Sequence, residues 1–93
     1  MKYTQSTLDK LEDIPRAGGY LLRYERGTFQ SGFCILESKR VVVLNKFLQV
    51  EGRINTLLEL IPQLSIDVSQ LEPDSAKLYQ EVIARTATPE SLS

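Results

Sequence analysis

The spacing of apolar residues changes several times along this chain, and each change marks an element. Phe33-Cys34-Ile35-Leu36 and Val41-Val42-Val43-Leu44 are apolar at odd and even positions alike, and polar Glu37-Ser38-Lys39-Arg40 separates them. Two short runs rich in β-branched and aromatic side chains around a polar reversal predict a β-hairpin. Successive strand side chains point to opposite faces, so runs apolar throughout imply strands covered on both sides. Helices would supply one cover, and a further element or a second copy of the chain the other. Beyond Phe47 the period lengthens: Val50, Ile54, Leu57, Leu58 and Ile61 fall on one helical stripe, which predicts an amphipathic helix over 50–61 that docks on the hairpin. Pro62 would clash with the carbonyl four residues earlier, so that helix ends close to it.

Upstream, Ser6 and Asp9 form a capping signal for a short helix marked by Leu8, Leu11 and Ile14, ending at Pro15 with a glycine-rich exit at Gly18-Gly19. Tyr20, Leu22 and Tyr24 alternate with Leu21, Arg23 and Glu25, the pattern of a half-exposed edge strand. Residues 27–32 carry two glycines and turn the chain into the hairpin. After Pro62, residues 64–68 alternate over a span that fits either a short edge strand or an extended connection. Glu72-Pro73-Asp74 opens a last helix, expected over 74–85, because proline is tolerated in a first turn and acidic residues suit its positive end. The whole predicts one α+β domain over 1–93: an N-terminal helix, a three-stranded antiparallel meander, then two helices, with about 87–93 a frayed polar tail.

At 93 residues, such a domain buries roughly 60–65% of its unfolded surface, enough for one core. The net charge of -1 gives no global pull toward nucleic acid or membranes. The charges are nonetheless segregated. Basic residues outnumber acidic ones seven to three over 14–53, and acidic outnumber basic six to two over 54–93, a basic sheet region followed by an acidic helical one. Cys34 is the single cysteine, which removes any disulfide within the chain and fits a reducing compartment. No apolar signal core opens the sequence, and no run approaches the ~18 residues of a membrane span. A cytoplasmic protein without membrane contact is expected.

The absence of histidine excludes imidazole-based zinc sites and every nucleophile–histidine triad. Cys34 sits in an apolar strand that disfavours its thiolate, and Glu12-Asp13 reads as a solvated helix end. The glycines lack the strand–G-x-G-x-x-G–helix order of a dinucleotide site. No catalytic residue, metal site or cofactor is expected. Arg23, Arg26, Lys46 and Arg53 could converge near the start of the central helix as an anion or nucleic-acid site. Phe29, Val42 and Phe47 are the candidates for a self-association surface, because they add large apolar side chains in and around a hairpin that one helix cannot cover twice.

The segment RYERGTFQSGFCILESKRVVVLNKFLQVEGRINTLLEL resembles that of small uncharacterised bacterial proteins of about this length, a likeness that implies no activity. More remotely, VVVLNKFLQVEGRINTLLELIP resembles the strand-then-helix segment of zincin-type metallopeptidases, whose helix carries H-E-x-x-H. On that alignment Glu59 matches the glutamate, while Leu58 and Pro62 occupy both histidine places. The resemblance therefore implies a scaffold without its metal. Three functions follow in order: a non-enzymatic protein-interaction module that forms homo-oligomers or binds another protein, a binder of an anionic ligand or nucleic acid through the basic sheet region, and a degenerate metallopeptidase-like scaffold.

Overall fold

In the computed structural model the chain forms α1 (Gln5–Ala17), β1 (Leu21–Glu25), β2 (Phe33–Leu36), β3 (Val41–Asn45), α2 (Val50–Leu60) and α3 (Pro73–Ala87). Single 3-10 turns at Glu37–Lys39, Ile61–Gln63 and Val68–Gln70 interrupt this order. The structure describes residues 2–26 and 33–87. The turn at 27–32, Phe29 within it, and the tail at 88–93 lie outside the described residues.

The α+β class holds, but the sheet is mixed and is not an antiparallel meander. Its strand order is β1-β3-β2. β2 and β3 form the expected antiparallel hairpin, whereas β1 lies along the other side of β3 and runs parallel to it. The parallel ladder is bracketed by Leu21 N–H donating to the Arg40 carbonyl at 2.8 Å and Lys46 N–H donating to the Glu25 carbonyl at 3.0 Å. The physical reason lies in the strands themselves. A central strand is paired on both sides and gains most when its side chains are apolar. Both hairpin strands are apolar, but only five-residue β3 matches β1 residue for residue from Leu21 to Glu25, and β1, with Arg23 and Glu25, stays at an edge as its alternation predicts.

Strand register fixes the faces, since residues directly opposite share one. Val42 and Leu44 pair with Leu22 and Tyr24 on β1 and with Ile35 and Phe33 on β2. This inner face meets the helices: Val42 and Leu44 are fully buried in one core with Leu8, Leu11 and Ile14 of α1, Ile54, Leu57 and Leu60 of α2, Ile61, and Val82 of α3. The opposite parity comprises Leu21, Arg23 and Glu25 on β1, Val41, Val43 and Asn45 on β3, and Cys34 and Leu36 on β2. None of these outer residues belongs to the core.

Several element ends differ from the sequence expectation for local reasons. Thr4 rather than Ser6 caps α1, its Oγ1 accepting from Thr7 N–H at 3.3 Å. The helix runs past Pro15 to Ala17, because a proline in the last turn removes one N–H and leaves the following carbonyls free to be capped. Gly18 N–H donates to the carbonyls of Ile14 and Pro15, and Gly19, at φ 89°, turns the chain so that Tyr20 N–H reaches the Pro15 carbonyl at 2.9 Å. α2 ends at Leu60, and Pro62 sits in the 3-10 turn that follows. Residues 64–67 form no strand. They connect to a turn capped by Asp67, whose Oδ1 accepts from Ser69 N–H at 3.0 Å and Ser69 Oγ at 2.7 Å, and these bonds hold its carboxyl below the usual aspartate range.

The face assignment makes neighbouring valines unequal. Val42→Ala is expected to cost about 2–3 kcal/mol through lost burial and a residual cavity, and Val43→Ala under about 1 kcal/mol. Urea unfolding at low protein concentration measures both. Equal losses would contradict the register.

Candidate interaction surface

Two tyrosines, Tyr20 just before β1 and Tyr24 within it, tie the parallel edge of the sheet to its surroundings. Tyr20 donates its hydroxyl proton to Glu37 Oε1 at 2.8 Å and accepts from Ser65 N–H at 2.9 Å. The Arg40 guanidinium lies 4.2 Å from the Tyr20 ring centre and donates to the carbonyls of Gly18, at 2.6 Å, and Ser65, at 3.1 Å. Arg40 itself adopts left-handed geometry at φ 50°, uncommon for a residue with a side chain. Its stacking and two bonds offset that cost.

The same device recurs at the far end of β1. Tyr24 donates to the Glu12 carboxylate, and Arg53 stacks 4.3 Å from the Tyr24 ring centre. Glu12 is buried, with Arg16 Nη2 3.8 Å away. Burial, then the hydrogen bond to Glu12 and that residue's charge, push the Tyr24 phenol well above the ordinary 10.0, while Arg53 pulls it back. Arg53 Nε donates to the Leu48 carbonyl at 2.8 Å and Nη2 to that of Lys46 at 3.1 Å, so its fork ties down the β3–α2 connection.

These bonds divide the four cations that the sequence groups as one anion site. Arg53 is turned inward. Arg23 lies on the outer face and pairs with Glu25 at 2.5 Å. Arg26, just past β1, sits 5.9 Å from the Phe47 ring centre. Lys46 and Arg26 come to one end of the sheet, because parallel β1 and β3 finish side by side there. No single patch gathers all four.

The self-association candidates divide as well. Val42 is fully buried against the helices and cannot line a surface; Phe47 is 67% exposed; Phe29 lies outside the described residues. The apolar surface is instead the opposite parity of the sheet: Leu21, 57% exposed, Leu36, 44% exposed, and half-buried Val41, Val43 and Cys34. One signal in the sequence marks it. Asn45, the polar residue of β3, shares its parity with Val41 and Val43, not with Val42.

A cleft of about 420 Å³ between the end of α1 and the start of α3 is lined by Asp13, Arg16, Ala17, Gln70, Glu72 and Ser75, mixed charges without an apolar floor. Among the described residues no group of three or more cysteine, aspartate or glutamate side chains is placed to hold a metal. Glu59 is exposed on α2, flanked by half-buried Leu58. No described helix is long and apolar enough to cross a membrane. No protein-family model matches the chain, and no curated protein or solved structure shows significant similarity to it.

The Tyr24–Glu12 bond yields a pH signature. The folded chain holds the phenolic proton more tightly than the unfolded chain, so its contribution is complete below the free tyrosine value and is lost as pH rises above about 10. Tyr24→Phe is expected to cost about 1–2 kcal/mol at pH 7, where it leaves Glu12 without its donor. That difference should shrink between pH 10 and 11 in urea unfolding; a constant difference would contradict the bond.

Proposed function

We propose that this protein is a non-enzymatic interaction module that associates with a second copy of itself through the outer face of its sheet. The observation that carries the reading is the parity of β3 that no described element covers: Val41 and Val43, flanked by Leu21, Leu36 and Cys34, outside the core that the three helices share. Apolar side chains left contiguous at a surface gain by being covered. Its charges suit a copy of itself, since Arg23 and Glu25 neutralise each other within one strand and leave the face without net charge.

Size sets the strength. Three strands about 4.8 Å apart and four or five residues long present roughly 220 Å² of sheet plane. That is well below the ~800 Å² each partner contributes to a standard stable interface. The dimer is therefore weak and dissociates on dilution. An anion-binding reading has less support, with Arg53 bonded inward and Arg23 paired. A hydrolase reading has least, because the zincin-like register places Leu58 and Pro62 where ligands would stand.

Sedimentation from about 1 µM to about 1 mM tests the proposal. A dimer is expected at the upper end, and Val43→Asp is expected to abolish it while the far-UV spectrum is unchanged. A monomer across the whole range would overturn the reading.

A further inference from the structure

We infer that the second copy stacks with its strands running in the same direction as the first, about a two-fold axis parallel to β3; this orientation rests on the self-association proposed above. The outer face is a small grid whose rows run across the strands. One row is Leu21, Val41 and Leu36; the next is Arg23, Val43 and Cys34; on β1 and β3 the third is Glu25 and Asn45. The apolar side chains thus fill one end of the face, and the polar ones gather toward the end of β1.

Two in-plane two-fold axes keep stacked strands aligned, and they bring together different rows. An axis perpendicular to the strands lays β1 antiparallel on its own copy. Arg23 then confronts the partner's Arg23, and Leu21 falls on the partner's Glu25. Like charges meet, and a leucine covers a carboxylate, both unfavourable in a partly dehydrated contact. An axis parallel to the strands keeps each row opposite itself and exchanges the flanks. Leu21 then covers the partner's Leu36, while Val41 and Val43 each meet their own copies at the axis. Arg23 lies over the partner's Cys34, with Glu25 still beside it at 2.5 Å. This arrangement seats apolar on apolar without opposing like charges. It makes Leu21 and Leu36, on different strands, a matched pair between copies, with Arg23 as the residue that rejects the other orientation.

Site-directed thiols separate the orientation from the interface itself. In a Cys34→Ser chain, Val43→Cys, Leu21→Cys, Leu36→Cys and Glu25→Cys variants are prepared, their folding is checked by far-UV spectra, and each is treated at millimolar concentration with a short bis-maleimide. V43C alone should cross-link efficiently. A mixture of L21C and L36C chains, one carrying a mass tag, should give mixed dimers several-fold in excess of the products that either gives alone. Sheets stack about 10 Å apart, and the parallel axis displaces each flank from its own copy by roughly a further 10 Å sideways. Efficient V43C cross-linking with mixed dimers from L21C and E25C, and not from L21C and L36C, would overturn the orientation and leave the interface standing. Failure of V43C to cross-link would overturn both.

Discussion

The fold depends on β3 being hydrogen-bonded on both sides. Once Val41–Asn45 is inserted between an antiparallel and a parallel neighbour, its side chains can face only two ways. Val42 and Leu44 face the helices and close the core; Val41 and Val43 face outward. A chain of 93 residues has helices enough for one face of a three-stranded sheet, and here all three helices contribute to the same core. Among the described residues, the face left outside the core thus follows from the same parity that makes the core possible.

Two tyrosine–arginine stacks hold this arrangement in place. Arg40 on Tyr20 and Arg53 on Tyr24 clamp opposite ends of β1, and each guanidinium also donates to backbone carbonyls of connecting segments. The planar fork suits both tasks at once, where lysine would supply a point charge alone. The carboxylates of Glu12 and Glu37 accept from the hydroxyls, so β1 is joined to the N-terminal helix at one end and to the β2–β3 turn at the other. Part of the basic sheet region is thereby scaffolding.

Local periodicity made much of this legible. The stripe from Val50 to Ile61 gave α2 to within a residue, the hairpin stood out as two apolar runs around a polar reversal, and the alternation of β1 marked it as an edge. Strand order was not legible. The pattern of β1 says that one face is polar, and it does not say which strand lies beside it; the antiparallel meander was the simplest order, and the placement of β3 at the centre displaced it. Val42 was placed on the wrong face for a related reason. Val42 and Val43 are indistinguishable as residues, and only register separates core from exterior. Arg53 looked like a free cation because its two acceptor carbonyls lie five and seven residues earlier, a relation that composition does not encode.

The central claim, that the outer parity of β3 meets a second copy, is tested most directly by isotope-filtered NOE measurement on a mixture of labelled and unlabelled chains near 1 mM. The account predicts intermolecular contacts to the methyl groups of Val41 and Val43, with Leu21 and Leu36 on the flanks, and none to Val42, Leu57 or Val82 in the core. Intermolecular contacts confined to the helical side, or their absence at that concentration, would contradict it.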